Sequence, residues 1–336
     1  MKVGDIDLDK KVLIVAEIGN NHEGNFELAQ EMIYKAAEAG ADAAKFQTFK
    51  TEKYVTITEK ERYEKVKSFE LSYEQFEELS LIANKNGLIF LSTPLDRESV
   101  DALDSFVQVF KISSGDNTFW PLIKKIASKR KPVILSTGVA NEEEIREALH
   151  LLKEYGKLEP LQDWVALLHC VSSYPVPPDE VNLSSIKYLR DKFVVTVGYS
   201  DHALDTTACL AAVALGARVI EKHFTYSKKN QTFRDHLLSA DPHEFKEMVE
   251  KIRLIESYLG EYKKESMPCE EKMKIVVRRS IAANTSIEKG EVITPDDLTW
   301  VRPALGLKIG QENVVIGKKA LRDIKIGELI KEEDVA

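Results

Sequence analysis

Residues 194–225 read VVTVGYSDHALDTTACLAAVALGARVIEKHFT, and the rest of the chain can be read outward from them. The stretch opens on an apolar run, 194–201, passes through a segment with apolar residues at helical spacing, 206–215, and closes on a second run, 219–225. Runs rich in Val and Ile without strict alternation suit strands buried on both faces, as in a parallel sheet. Six more runs precede these, at 12–19, 41–49, 88–94, 109–115, 132–138 and 164–170, with helical patterns such as 26–39, 73–86 and 142–155 between them. Eight strand–helix units predict an α/β fold, a (β/α)8 TIM barrel. A doubly wound sheet is the competing arrangement, and the lack of a Gly-rich nucleotide turn favours closure.

Nearly every run ends in polar residues: Glu17; Lys45 and Gln47; Ser92 and Thr93; Lys111, Ser113 and Ser114; Ser136 and Thr137; His169; Ser200, Asp201 and His202; Glu221 and His223. The opposite ends show no such enrichment. Barrel enzymes carry their chemistry at the C-terminal ends of the strands, so this one-sided polarity points to an active site there.

Composition excludes other classes. The 336 residues hold 47 Lys+Arg against 55 Asp+Glu, a net charge of -8, which argues against a nucleic-acid groove. No apolar run approaches the ~18–20 residues of a membrane span, and the N-terminus MKVGDIDLDKK lacks a secretory apolar core. A cytoplasmic protein is expected. Three cysteines (Cys170, Cys209, Cys269) with no CxxC spacing make neither a disulfide framework nor a zinc knuckle. The length exceeds what one core usually supports. The expected division is a barrel domain at 1–260, a polar linker at 261–275 and a small, mainly β module at 276–336. In that module the phrases at 287–293 and 326–330 resemble one another, each a Lys/Gly turn followed by an acidic and an apolar residue.

His202 and His223 end consecutive runs, so one strand–helix step brings them to neighbouring strand ends. Two imidazoles with open positions suit a labile divalent ion, although two hydrogen-bonding histidines would look the same. Lys45 and Lys111 sit at the inner ends of apolar strands, where an ammonium group needs an anionic partner or a lowered pKa. A phosphate- or carboxylate-bearing substrate fits, with Ser136 and Ser200 as further donors. A Schiff-base lysine and a structural ion pair with Glu17 or Glu221 are the alternatives. Glu17 suits a general acid/base or such a pair. Asp235-His236 falls in a long segment expected to be loop.

The phrases VAEIGNNHEG, KFQTFK, FLSTPLD, FKISSGD, LSTGVA, LLHCVSSYP, GYSDH, EKHFT and DHLLSADP follow one another in register. In that order they resemble the sialic acid synthases, the family of N-acetylneuraminate, legionaminate and pseudaminate synthases. The tail, with GEVITPDDLTWVRPALGL, resembles the family's antifreeze-like SAF domain. The resemblance implies a transferase that condenses phosphoenolpyruvate with N-acetylmannosamine or a related acetamido sugar, releasing phosphate by C–O cleavage. It implies His202 and His223 as ligands of manganese, with magnesium or cobalt also fitting. Lys45, Thr93, Lys111, Ser114, Ser136 and Ser200 match the positions around phosphoenolpyruvate. Glu17, Tyr174 and Asp235 match those handling the sugar and proton transfer. Arg302 matches an arginine that the SAF domain delivers into the partner's site in a domain-swapped homodimer. Two departures lie near the sugar: Ser172-Ser173, where sialic-acid members commonly have Asn and legionaminate types have serines, and Thr232-Phe233-Arg234-Asp235 in place of the usual Gly-Pro-Asp-His phrase.

Overall fold

The computed structural model describes every residue except 230 and 232, so Thr232 of the departing phrase lies outside the described residues. The chain forms two compact units, Met1–Gly260 and Glu261–Ala336.

In the first unit a short antiparallel hairpin, β1 (Lys2–Val3) and β2 (Ile6–Asp7), precedes eight parallel strands. These are β3 (Leu13–Gly19), β4 (Ala43–Thr48), β5 (Ile89–Pro94), β6 (Phe110–Ile112), β7 (Val133–Ser136), β8 (Val165–Cys170), β9 (Thr196–Asp201) and β10 (Val219–His223). All eight fall within the runs read from the sequence. Their hydrogen-bonded order, β5-β4-β3-β10-β9-β8-β7-β6, joins the last strand to the first, as a barrel requires. β5 and β6 lie side by side without a ladder, and the three-residue length of β6 leaves little backbone to pair.

Alternation of side chains along each strand sets the layers of the interior. Leu13, Val15, Ala43, Leu91, Val109, Ile134, Ala166, Leu168 and Val219 form one buried apolar cluster. Met1, Val3 and Leu8 join it, so the N-terminal segment packs with the barrel interior. Two residues further along, the same inward positions are polar: Glu17, Lys45, Thr93, Lys111, Ser136, Ser200 and Glu221. The intervening residues, including Ile14, Ala44, Phe90, Phe110, Leu135, Leu167 and Ile220, belong to the larger core shared with the surrounding helices. Parity therefore splits the polar strand ends. Ser92, His169 and Asp201 have outward register, away from the charged layer.

Asn25, Ser72, Asn141 and Asp241 cap helices Phe26–Glu38, Tyr73–Lys85, Glu142–Gly156 and Pro242–Leu259, each accepting a backbone N–H. Helix Lys60–Phe69 lies between β4 and β5, ahead of Tyr73–Lys85. Asp235-His236, expected as loop, begins the one-turn helix Asp235–Leu238.

In the second unit, β11 (Ser280–Ala283) and β12 (Leu298–Val301) pair antiparallel over a core of Ile281, Ile287, Ile293, Leu298, Val315, Ile324 and Ile330. An Ile287↔Ile324 bridge joins the start of the first similar phrase to the residue two before the second, and each phrase leads into a 3-10 turn, Pro295–Asp297 and Glu332–Asp334. The stretch expected as a linker belongs to this unit and becomes helical at Glu271–Val277, where Lys274 pairs with Glu271.

Candidate active site

Charge is concentrated at the C-terminal end of the barrel interior. The register places Glu17 beside both Lys45 and His223, and Glu221 beside Ser200. Lys45 Nζ lies 2.7 Å from Glu17 Oε2 and 3.5 Å from Glu221 Oε1, and donates to Thr93 Oγ1 at 3.3 Å. Lys111 Nζ is 3.8 Å from the same Glu221 oxygen, and donates to Ser136 Oγ at 2.6 Å and to the Ile112 carbonyl at 3.1 Å. Ser200 Oγ donates to Glu221 Oε1 at 3.0 Å. Glu221, read from sequence only as a possible ion-pair partner, thus holds the two lysines together. All four charged groups are buried.

Burial disfavours the charged form of each group, and the neighbours decide the outcome. For Glu17, burial wins over the attraction of Lys45, with Glu221 adding to the rise, and the carboxyl is pushed up to about 7. For Lys45, burial works against the ammonium but Glu17 and Glu221 outweigh it, holding the pKa above its ordinary value. Burial lowers Lys111, with only Glu221 in close opposition. Glu221 is held below the usual carboxylate range because Lys111 and Lys45 overcome its burial.

The hydroxyl donors converge on one turn. A Cβ at Gly138 would fall 2.4 Å from Ser172 Oγ and 2.6 Å from Ser114 Oγ, so only a bare backbone lets the two serines meet there. Gly138 N–H donates to Ser114 Oγ at 3.1 Å, and Asn117 Nδ2 donates to the Gly138 carbonyl at 2.9 Å.

His202 and His223 come together as their spacing predicts, with ring centroids 5.4 Å apart. Tyr174 packs over both, 4.0 Å from the His202 ring and 5.9 Å from the His223 ring. His202 Nδ1 is 2.7 Å from the Val171 carbonyl. His223 Nδ1 is buried without a partner, and burial together with His202 holds that imidazole well below its ordinary pKa, hence neutral. Among the described residues no three His, Cys, Asp or Glu side chains group as a metal cluster, so the pair can occupy only two corners of a coordination shell. Arg234 lies 5.1 Å from the Tyr174 ring centre and pairs with Asp235 at 3.2 Å, while burial raises the Asp235 carboxyl against that pull.

The structure therefore gathers Glu17, Lys45, Thr93, Lys111, Ser114, Ser136, Ser172, Tyr174, Ser200, His202 and His223 at one end of the barrel, with Asp235 beside Arg234. Arg302 lies in the second unit, exposed, just after β12. Sequence reasoning missed Asn117 and the placement of Cys170, and named Arg234 only within the departing phrase near the sugar. Cys170 shares the inward parity of Ser200 across the β8–β9 ladder and lies 3.7 Å from His202 Nδ1. Strand parity was the signal that could have found it.

Comparisons with known proteins match this chain to a family. The NeuB family model matches residues 32–264 and the SAF domain model residues 278–336. An uncharacterized protein of Methanocaldococcus jannaschii is 44% identical, over 100% of this chain and 98% of that one. The N,N'-diacetyllegionaminic acid synthase of Campylobacter jejuni is 42% identical, over 96% of this chain and 100% of its own. A crystal structure of the N-acetylneuraminic acid synthetase of Leptospira borgpetersenii, in complex with citrate, superposes with a TM-score of 0.76 at 36% identity, covering 81% of this chain and 94% of that one. With a family match over most of the barrel and relatives aligned along the whole chain, the protein belongs to the NeuB sialic acid synthase family and carries a C-terminal SAF domain.

Proposed function

We propose that the chain condenses phosphoenolpyruvate with an N-acetylated mannose-type sugar, forming a nonulosonic acid and releasing phosphate by C–O cleavage. The observation that carries this reading is the pair of buried ammonium groups, Lys45 and Lys111, tied through one carboxylate and surrounded by serine and threonine hydroxyls. With Glu17 held near pH 7, part of the compensating negative charge is neutral, which leaves room for a multiply charged anion. The lysines and Ser114, Ser136 and Ser200 neutralise and hydrogen-bond the phosphate and carboxylate rather than attack. A Schiff base at Lys45 is disfavoured, because its neighbours hold the amine protonated and a nucleophilic amine must be neutral.

The two histidines fit a divalent cation on the chemistry of their donors. The Val171 carbonyl takes the Nδ1–H of His202, so that in the neutral ring the lone pair is on Nε2, and His223 is neutral with an orphaned buried nitrogen. Manganese is the first choice, magnesium and cobalt the alternatives; when bound, such a cation polarises the carbonyl of the open-chain sugar as a Lewis acid. The enol carbon of phosphoenolpyruvate adds to that carbonyl carbon, and water adds at the carbon bearing phosphate. Glu17 is poised to exchange a proton at that step, and Asp235, beside Tyr174 and Arg234, is placed for the sugar.

Ser172-Ser173 and the similarity to a relative named N,N'-diacetyllegionaminic acid synthase support 2,4-diacetamido-2,4,6-trideoxymannose as acceptor over N-acetylmannosamine. Mass spectrometry of products from phosphoenolpyruvate with each sugar tests this. Phosphate release with the diacetamido sugar, lost in EDTA and restored by manganese, is expected. Borohydride trapping of a pyruvate adduct at Lys45, with turnover insensitive to EDTA, would overturn it.

A further inference from the structure

The residue immediately before each histidine, Asp201 and Lys222, forms a second ion pair on the opposite side of the strands. Asp201 and Lys222 are register partners across the β9–β10 ladder. Lys222 Nζ lies 2.7 Å from Asp201 Oδ2, with side chains 1% and 0% exposed. Both have outward parity, so this pair sits away from the Lys45–Glu221–Lys111 cluster and touches none of its groups. Its hydrogen bonding is complete. Asp201 Oδ1 accepts from Tyr199 OH at 2.8 Å and from Ala203 N–H at 2.9 Å, and Oδ2 accepts from Cys209 Sγ at 3.4 Å. Lys222 also donates to the Ala203 carbonyl and, at 3.1 Å, to the Asp205 carbonyl.

The consequence is geometric. His202 lies between Asp201 and Ala203, and both the N–H and the carbonyl of Ala203 are tied to the pair. His202 is thereby fixed to β10, the strand that ends on His223. Stability is a weak reason to keep such a pair, since well-packed apolar residues often serve as well in a core. Holding two strand ends at one spacing is a role that apolar residues, lacking directional bonds, fill poorly.

We propose that Asp201 and Lys222 are positioning residues: a buried crossbar that sets the separation and aim of His202 and His223. The Val171 carbonyl selects the His202 tautomer, and the crossbar fixes the backbone from which the ring projects. The inference deepens the metal assignment above and rests on it only for what the two rings hold.

The test compares wild type with the double variant Asp201→Asn/Lys222→Met, which removes both charges and keeps an acceptor for Tyr199 and Ala203. Manganese affinity is measured by calorimetry, alongside nitrogen NMR of labelled histidine and amide exchange of 202–206 in the metal-free proteins. The expected result is a folded variant that binds manganese roughly 10–100-fold more weakly, the usual cost of losing a supporting contact around a metal ligand. Its 202–206 amides should exchange faster, and its His202 signals should broaden into more than one state. Wild-type affinity, exchange and His202 signals in the folded variant would overturn the proposal. Should the double variant fail to fold, Tyr199→Phe decides: removing one bond to Asp201 should produce a smaller change in the same direction, and no change overturns the crossbar. If wild type itself binds no manganese, the metal assignment fails. The crossbar is then judged on exchange and His202 signals alone, and their invariance overturns it.

Discussion

A carboxyl that stays near pH 7 while touching an ammonium group needs explaining, and Glu17 supplies the explanation in its burial. Lys45 at 2.7 Å favours ionisation, but desolvation and the second carboxylate, Glu221, prevail. A carboxyl whose folded pKa lies above its unfolded value takes up a proton preferentially in the folded state. Its contribution to stability is therefore complete below about 4.5 and is lost as pH rises through about 7. Thermal melting of the metal-free protein should show the advantage of wild type over Glu17→Gln shrinking across that window, and parallel pH profiles would contradict it. At Gly138 the matter is space. An added methyl meets two serine hydroxyls that can rotate away and, at 3.0 Å, the Ser114 Cβ, which must give by a few tenths of an ångström, so Gly138→Ala should lower the melting temperature by only a few degrees. The displaced Ser114 and Ser172 should raise KM for phosphoenolpyruvate about tenfold, the loss of roughly one hydrogen bond of ~1.4 kcal/mol to a charged group. An unchanged KM would remove these serines from the substrate site.

Among the elements, the barrel strands were legible because their apolar runs need no partner to be recognised. Helix Lys60–Phe69 was not singled out, since its sequence, KERYEKVKSF, is mostly charged and buries only Phe69. Its place depends on contacts distant in sequence: Phe69 packs edge-on against Phe233 at 5.2 Å between ring centres, within a small cluster that includes Phe49 and Leu95. The helix end also presses on the NNHEG turn. Gly24 has φ +81, and a Cβ there would lie 2.0 Å from the Ser68 carbonyl oxygen. Gly24→Ala meets backbone that cannot rotate away, so it should cost more than the ~1–2 kcal/mol of a left-handed residue alone. Melting curves should fall by several degrees; an unshifted curve would mean that the turn and helix do not meet.

At the scale of the whole molecule the question is why a catalytic barrel carries a 76-residue second unit, Glu261–Ala336. The net charge of -8 cannot draw an anionic substrate inward, so positive charge must be local: Lys45, Lys111 and, on our reading, a cation at the histidines and Arg302 from a partner chain. No helix among the described residues is long and apolar enough to cross a membrane. If Arg302 acts in a domain-swapped homodimer, Arg302→Ala and His202→Ala chains, each inactive alone, should regain up to about a quarter of wild-type turnover when mixed as subunits, because one of the two mixed sites carries neither substitution. Mixtures as inactive as their components would place the arginine outside the partner's site.

Strand positions, the one-sided polarity of their ends and the pairing of His202 with His223 could all be read along the chain, because they rest on periodicity and on one strand–helix step. Parity along the strands separates inward Ser200 and Glu221 from outward Asp201 and Lys222 in the same way. The folded barrel settled what periodicity cannot express. It joined Glu221 to two lysines from strands more than a hundred residues earlier in the chain, brought Ser114 and Ser172 to the bare backbone of Gly138, and laid Arg234 over Tyr174. Those arrangements follow from barrel closure and loop packing, which bring together residues whose sequence separation carries no trace of their distance in space.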